Sequence, residues 1–266
     1  MSADAAPIRL GRVAFINTYP VEWALSRHLP EGQAVEVTGV PTALNRMLRA
    51  GEIDVANCSS IEYAAAPERY VLLPSMCVGS DGAVDSVQLI TDLPLDRVRS
   101  VAATSQSATS ATLCRVLLPE ATLVAEDASA DARLLIGDDA LRSALEDPTR
   151  HHDLGQLWRE RTGKPMVFAV WAARAEIAAE RLEAVDRALR AAVVEASENA
   201  RQVALDASDR FGFPAGYLAR YFDRLRYRFG ARERAGLEQF YALAAEIGVI
   251  ESAPPLRFAD AALPVS

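Results

Sequence analysis

The segment Val101-Ala102-Ala103-Thr104-Ser105-Gln106-Ser107-Ala108-Thr109-Ser110 runs from a short apolar strand through a hydroxyl-rich turn into the start of a helix. Free backbone N–H groups and the positive end of the helix dipole attract an anion at such a position, and hydroxyls add directional hydrogen bonds. A helix cap alone explains one hydroxyl. Because four of the six residues 105–110 carry one, we expect Ser107, Ala108, Thr109 and Ser110 to bind a carboxylate or phosphate.

Short strands alternate with helices around this unit through the first two thirds of the chain. Residue composition and flanking turns predict strands at 8–15, 35–40, 53–56, 71–78, 84–90, 100–104, 122–124, 133–136 and 167–171. A helix is predicted over 41–50, since Pro41 suits a first helical position and Gly51 a helix end. Strand–helix alternation indicates an α/β fold with a mainly parallel sheet.

The last third of the chain has a helical pattern. Apolar residues recur at spacings of three and four from Ile177 to Ala196, from Tyr217 to Leu225 and from Leu237 to Ile247. We expect three amphipathic helices there, whose aromatic stripes are packing faces rather than a cofactor site.

Two strands, 84–90 and 165–171, bracket about eighty residues that we expect to form an inserted lobe. The predicted division places residues 1–88 and 172–266 in lobe 1 and residues 89–171 in lobe 2. Small ligands bind at such domain interfaces and beyond the carboxyl ends of parallel strands. The sequence therefore predicts a two-lobed α/β protein with a ligand cleft between its lobes.

Composition narrows the classes of partner. The 266 residues carry a net charge of −8, and no Lys/Arg run suggests a nucleic-acid partner. Residues 1–7 lack the basic and apolar regions of a signal peptide, and no stretch approaches a membrane span of about 20 apolar residues. We expect a cytoplasmic protein without a membrane or nucleic-acid partner. Its oligomeric state is not indicated.

The residue types that hold metals and cofactors are sparse. Cys58, Cys77 and Cys114 lie far apart in apolar or small-residue runs, which favours buried free thiols. The three histidines have no partner at metal-ligand spacing, and His151-His152 is typical of a solvated helix or loop end. No glycine-rich phosphate fingerprint is present. We expect neither a metal nor a cofactor.

Six segments in order resemble one family, the menaquinone-biosynthesis proteins that include chorismate dehydratase of the futalosine route. They are GRVAFINTYP (11–20), GEIDVANCSSIEY (51–63), SDGAVDSV (80–87), SATS (107–110), IGDDAL (136–141) and DLGQLW (153–158). The family is similar in fold to type II periplasmic binding proteins, which implies two α/β lobes with a cleft and two crossover strands. The sister dihydroxynaphthoate synthase usually has a Cys-Pro-Asn-Asp-type opening and a His in the third motif, so the chorismate branch is favoured.

The resemblance implies dehydration of chorismate to 3-(1-carboxyvinyloxy)benzoate, without a metal or cofactor. Such a site needs donors for two carboxylates, help for a departing hydroxyl and a base for one ring proton. The hydroxyl turn fits the first need, and the second is implied for Asn17, Ser59, Ser60 and Ser86. We expect Asn17 and Ser86 to be catalytic, and Ser59, Ser60 and Asp138 to bind substrate with the turn.

Each of these residues also has a purely structural interpretation. Asn17 suits a strand-to-helix turn, Ser59 and Ser60 suit helix caps, and one of Asp138 and Asp139 suits a cap while the other contacts the ligand or braces the cleft. The matching motifs offer four carboxylates as bases: Glu62, Asp85, Asp138 and Asp139. The enolpyruvyl carboxylate of the substrate lies beside the carbon that loses the proton, so an intramolecular base is expected instead. Because fold does not fix function, a cytoplasmic solute-binding or sensor protein for a small carboxylate remains the alternative.

Overall fold

The computed structural model describes residues 6–29 and 31–259. The absence of a signal peptide was expected from residues 1–7, and residues 1–5 lie outside the described part of the chain. The strands in chain order are β1 (Ile8–Val13), β2 (Ala34–Gly39), β3 (Val55–Ser59), β4 (Tyr70–Ser80), β5 (Val87–Ile90), β6 (Ser100–Ala103), β7 (Thr122–Val124), β8 (Ala132–Ile136), β9 (His151–Asp153), β10 (Met166–Arg174) and β11 (Leu225–Arg228).

The helices surround two sheets built from these strands. They are α1 (Tyr19–His28), α2 (Pro41–Ala50), α3 (Ser60–Ala65), α4 (Ala108–Leu117), α5 (Gly137–Glu146), α6 (Leu154–Thr162), α7 (Ala179–Glu198), α8 (Ala200–Phe211), α9 (Ala215–Arg224) and α10 (Ala231–Glu246). Short 3-10 turns cover Ile16–Thr18, Pro67–Arg69, Leu95–Arg97 and Pro148–Arg150. Within the described residues, no helix is both long and apolar enough to cross a membrane.

The two sheets are mixed rather than mainly parallel. The larger sheet has the order β11-β4-β10-β3-β1-β2, and the smaller has the order β7-β6-β8-β5-β9. In the larger sheet β1 runs parallel to β2 and β3, whereas β10 runs antiparallel to both β3 and β4. The expectation of a mainly parallel sheet was wrong, because β10, which follows the smaller sheet in the chain, lies in the centre of the larger sheet and runs antiparallel to both neighbours.

Most predicted strands are confirmed within a few residues, and the helix over Pro41–Ala50 is confirmed at both ends. The strands β9 and β11 and the helices α6 and α8 were not predicted. The pair His151-His152, expected at a solvated end, lies half-buried in β9 and pairs with β5. Tyr217 and Leu225 were assigned to one helix, but Leu225 begins β11, which pairs with β4.

Sheet membership places the chain crossings a few residues earlier than the predicted lobe division. Val87 and Gln88 lie in the smaller sheet, although residues up to 88 were assigned to lobe 1. Residues 166–171, assigned to lobe 2, lie in the larger sheet. The crossings therefore fall between β4 and β5 and between α6 and β10, while the division into two lobes stays a prediction.

The C-terminal helices close the core of the larger sheet. Buried Leu182, Val185 and Leu189 of α7 pack in one apolar cluster with Leu73 and Trp171 of the sheet. The α10 residues Leu237, Phe240 and Tyr241 belong to the second cluster. Cys58, Cys77 and Cys114 are free and buried, as expected, and burial raises the pKa of Cys114 to about 12. These packing faces account for the aromatic stripes of the last third of the chain.

Candidate functional site

A small cavity lies where the carboxyl end of β1 and β3 in the larger sheet faces the smaller sheet. Its volume is about 50 Å³, below the roughly 300 to 1,000 Å³ of small-molecule pockets. Six polar side chains line it: Asn17, Asn57, Ser59, Ser86, Ser107 and Ser110. Among the described residues, no charged side chain lines it. The two sheets thus close around a neutral, hydrogen-bonding space that must widen to admit a substrate.

The hydroxyl turn is a helix cap and part of the cavity wall at once. Ser107 is the N-cap of α4, and its Oγ accepts a hydrogen bond from Ser110 N at 3.2 Å. The Ser107 hydroxyl also donates to Ser110 Oγ at 2.9 Å. Ala108 begins the helix. Because both serines face the cavity, the positive end of α4 is directed at whatever group occupies it.

Thr109 and Ser60 face each other outside the cavity lining. Thr109 is fully buried, and its Oγ1 lies 3.2 Å from Ser60 Oγ and accepts from Ile61 N at 3.3 Å. Ser60 donates to Val167 O at 2.9 Å, and its own carbonyl accepts from the Tyr241 hydroxyl at 2.6 Å. These two side chains join α3 of one sheet to α4 of the other. Their hydroxyls bond to protein groups, so the expected substrate contact of both stays a prediction.

Asn17 and Asn57 present amide groups to the cavity. Asn17 lies in the 3-10 turn after β1, where its carbonyl accepts from the Tyr227 hydroxyl at 2.7 Å. Asn57 is only 1% exposed in β3. Asn17 Oδ1 and Asn57 Nδ2 are buried without a hydrogen-bond partner among the described residues. Asn17 was expected at the site from the sequence, whereas Asn57 was not, because the strand predicted over 53–56 extends to Ser59 in the structure.

Ser59 and Ser86 complete the polar lining. Ser59 ends β3, and its backbone N–H donates to Asn45 Oδ1 at 3.3 Å. Although Ser59 holds the N-cap position of α3, its side chain makes no capping hydrogen bond. Ser86 is 3% exposed, and its carbonyl accepts from Gly137 N at 2.8 Å. Buried Tyr221 contacts Ser86, and burial is the main cause that raises the pKa of Tyr221. Tyr221 was not found from the sequence because it lies in a helical packing stripe.

Asp138 braces the mouth of the cleft rather than lining the cavity. Its Oδ1 accepts from the backbone N–H of Ile16 at 3.1 Å, which joins α5 to the turn that carries Asn17. Burial raises the pKa of Asp138, and the Ile16 N–H opposes that rise. Asp139 and Asp138 line a separate outer groove of about 250 Å³. This contact braces the cleft, and the expected substrate contact of Asp138 stays a prediction.

Glu62 and Asp85, which were offered as bases, and the buried carboxylate of Asp153 also lie outside the cavity lining. Glu62 pairs with Arg49 through two hydrogen bonds of 3.0 and 2.6 Å. Asp85, with a φ of 59°, pairs with Arg224. The carboxylate of Asp153 accepts from the backbone N–H groups of Val84, Asp85 and Gln156, which fixes the crossing between the sheets. Cation pairing and backbone bonds occupy these groups.

Gly137 permits the close approach of the two sheets. Its φ is +58°, and a Cβ there would lie 3.4 Å from the Phe15 ring. Only glycine adopts this backbone conformation readily. The Phe15 side chain thereby covers the start of α5 and walls the cavity on the side of the outer groove. Among the described residues, no group of three or more His, Cys, Asp or Glu side chains could hold a metal ion.

Comparison with protein families gives a single consistent result. A family described as menaquinone biosynthesis matches residues 8–246. A chorismate dehydratase of Thermus thermophilus is 35% identical over 260 residues, which cover 88% of this chain and 94% of that protein. A chorismate dehydratase of Campylobacter jejuni is 32% identical over 163 residues, covering 60% of this chain and 64% of that protein.

Solved structures show the fold. A protein of Archaeoglobus fulgidus superimposes with a TM-score of 0.78 at 20% identity, covering 93% of this chain and all of that one. The periplasmic aliphatic sulphonate binding protein of Escherichia coli superimposes with a TM-score of 0.65 at 14% identity, covering 99% and 97% of the two chains. The chain therefore has the two-lobed fold of type II periplasmic binding proteins, as expected.

Proposed function

The chain belongs to the menaquinone-biosynthesis family, and within it we propose that this protein is a chorismate dehydratase. The similar proteins of Thermus thermophilus and Campylobacter jejuni carry that name. In the reaction, the ring carbon bearing the enolpyruvyl ether loses a proton, and the neighbouring ring carbon loses its hydroxyl. Water leaves, a new double bond completes the aromatic ring, and the product is 3-(1-carboxyvinyloxy)benzoate. The enzyme is thus a hydro-lyase.

The observation that carries this proposal is the neutral polar cavity at the N-terminus of α4. A dianionic substrate needs donors that are not cancelled by neighbouring carboxylates, and no charged side chain of the described residues lines the cavity. Ser107 and Ser110 face it together with the positive end of the helix. We assign one substrate carboxylate to this helix end, with Ser59 on the opposite wall.

The base in this proposal is the enolpyruvyl carboxylate of the substrate. Glu62 pairs with Arg49, Asp85 pairs with Arg224 and Asp138 accepts from Ile16 N. Asp139 lies in the outer groove, and none of these four carboxylates lines the cavity. The substrate carboxylate takes the ring proton and passes it to the departing hydroxyl, which leaves as water. Asn17 and Ser86 orient the reacting groups, so that the protein contributes positioning and charge stabilisation.

Ser60, Thr109 and Asp138 have a different role in this proposal. They hold the two sheets in register around the cavity, since their side chains bond to each other, to Ile61 N or to Ile16 N. Ala108 contributes only its backbone, as the first residue of α4. We place the reaction in the cytoplasm, with chorismate as the small-molecule partner and no added cofactor.

The test is incubation of the purified protein with chorismate alone in the presence of a chelator. We expect the absorbance of an aromatic product and a mass lower than chorismate by one water, and heat-denatured protein serves as the control. Binding of chorismate without conversion would favour a sensor, which the likeness to binding proteins makes the relevant alternative. A requirement for a defined metal would overturn the cofactor-free mechanism, and absence of both binding and turnover would overturn the proposed function and leave the sister activity to be tested.

A further inference from the structure

Two buried amide atoms in the cavity lack partners. Asn17 Oδ1 is an acceptor and Asn57 Nδ2 is a donor, and neither has a hydrogen bond among the described residues. Leaving a buried polar atom unpaired costs about 1–3 kcal/mol. Such groups are rare in folded proteins and call for a specific explanation. Both residues line the same cavity, so a ligand in that cavity is the common explanation.

The two atoms are complementary, yet they do not bond to each other. A ligand group that satisfies both must accept a hydrogen bond from Asn57 and donate one to Asn17. A hydroxyl does both, whereas an ionised carboxylate only accepts. Among the polar groups of chorismate, which are two carboxylates, an ether and a hydroxyl, only the hydroxyl can pair with both atoms.

We propose that Asn57, acting with Asn17, holds the hydroxyl that the substrate loses. This inference rests on the proposed function, because chorismate supplies that hydroxyl. The Asn57 N–H donates to the hydroxyl oxygen and stabilises the negative charge that develops there as the C–O bond breaks. The side-chain oxygen of Asn17, Oδ1, accepts a hydrogen bond from the same hydroxyl and fixes the direction of the O–H bond before the reaction. The ring proton, carried by the substrate carboxylate, completes the departing water.

The fold explains why Asn57 reaches the cavity. All five residues of β3 are buried. Its last three residues, Asn57, Cys58 and Ser59, line the cavity, because the strand ends there. Strand β3 lies between β1 and β10, and the residue of β10 directly opposite Asn57 is Trp171.

A competing explanation lies behind Asn57. A second cavity of about 10 Å³ is lined by Arg12, Asn57 and Trp171 among others, and it has room for about one water. Arg12 Nε and Trp171 Nε1 are also buried and unpartnered. A water there would satisfy some of these donors without any substrate. Since the Asn57 amide nitrogen carries two N–H groups, the variants must separate the two cavities.

The experiment compares Asn57→Leu with Trp171→Phe. Leucine removes the amide facing both cavities at similar volume, whereas phenylalanine removes only a donor of the inner cavity. For each variant, kcat and KM are measured with chorismate, and the Kd is measured by calorimetry for 3-(1-carboxyvinyloxy)benzoate, which keeps both carboxylates but lacks the hydroxyl. We expect Asn57→Leu to lower kcat by about tenfold or more while the product Kd stays within about twofold. Trp171→Phe should leave kcat within about twofold.

Two results would overturn the inference. An unchanged kcat in Asn57→Leu would show that the amide does not assist the hydroxyl. Equal weakening of substrate and product binding would assign Asn57 to a carboxylate or to the fold. If circular dichroism shows that Asn57→Leu does not fold, Asn57→Ala and the binding of a deoxy analogue of chorismate to the unaltered protein replace it, and equal binding of both compounds then counts against a hydroxyl subsite. Lack of product binding and of turnover by the unaltered protein would instead refute the proposed function.

Discussion

Two polar clusters lie where the sheets face each other, and they differ in what satisfies them. The hydroxyls of Ser60 and Thr109 bond to each other, to Ile61 N and to Val167 O. The amide atoms Asn17 Oδ1 and Asn57 Nδ2 have no partner among the described residues. Hydrogen bonds within the protein stabilise the fold, whereas buried groups without them are available to a ligand. We therefore assign the Ser60–Thr109 cluster to stability and the Asn17–Asn57 pair to catalysis.

The largest expected effect is on the unpartnered side, in Asn17→Leu. We expect kcat for chorismate to fall about 10²-fold, because the departing hydroxyl loses the acceptor that orients it. The melting temperature should change little, because the Asn17 carbonyl that Tyr227 binds is main chain. The measurement is aromatic product formation by absorbance.

Exposed Asn199 provides the control for Asn17. Its side chain bonds to Glu195 O on the surface, so Asn199→Ala should leave kcat unchanged. A kcat of Asn17→Leu within twofold of the unaltered protein would break the assignment of the amide pair to chemistry.

The partnered side should show its effect in stability, through Thr109→Val. The substitution keeps the shape but leaves Ile61 N unpaired, so we expect a loss of about 1–3 kcal/mol in the free energy of unfolding. Product affinity should stay within about twofold. Urea unfolding and calorimetry give the two values.

A matched control for Thr109 lies on the same helix. Thr112 is buried with no side-chain hydrogen bond among the described residues, and Thr112→Val should cost less stability than Thr109→Val. The reverse outcome, a weakened product affinity with unchanged stability in Thr109→Val, would move Thr109 into the ligand site.

The hydroxyl turn lies between these extremes, since Ser107 both caps α4 and faces the cavity. We expect Ser107→Ala to weaken product binding about tenfold, because a hydrogen bond to a charged group contributes about 1.5–3 kcal/mol. Loss of the cap should lower stability by about 1 kcal/mol. Exposed Ser105 in the same turn is the control. Equal Kd values for Ser105→Ala and Ser107→Ala would reduce the turn to a cap.

The smallest effect concerns pH and Asp138. Burial raises its pKa in the folded protein above the ordinary value of 3.8, so the ionised carboxyl opposes folding above the raised pKa. In Asp138→Asn the amide oxygen can still accept from Ile16 N without the charge. We therefore expect Asp138→Asn to be more stable near neutral pH. This gain should shrink as pH falls through the raised pKa and vanish below 3.8.

Urea unfolding at several pH values measures this dependence. Asp139→Asn is the neighbouring control, because the Ile16 N–H bonds to Asp138. Parallel pH profiles for Asp138→Asn and the unaltered protein would show that Asp138 does not contribute to the pH dependence of stability.

Local patterns predicted most strands, the α/β class and the helix start after the hydroxyl turn, because these depend on composition and on neighbours in sequence. The missed elements are those that tertiary pairing decides. Strand β9 has three residues and forms at the edge beside β5. The apolar spacing of α9 continues to Leu225, but pairing with β4 gives Leu225–Arg228 an extended backbone instead of a helical one.

The site was predictable only in part for a similar reason. The hydroxyl turn led to Ser107 and Ser110, and the resemblance led to Asn17, Ser59 and Ser86; all five line the cavity. The sequence of the turn could not separate Thr109 from Ser110, because adjacent helical residues point about 100° apart and only packing decides which faces the cleft. Asn57 was hidden because the strand was predicted to end at residue 56, before its polar side chain could be placed on a face.

The position of β10 ties the order of synthesis to the order of assembly. This strand separates β3 from β4 in the centre of the larger sheet, yet it leaves the ribosome after the whole smaller sheet. Strands β5 to β9 can pair as soon as Asp153 has emerged, while β3 and β4 still lack their shared neighbour. Such long-range pairing is slow and leaves strand edges exposed. The lobe that begins first is therefore the one completed last, and chaperones would be needed most in that interval.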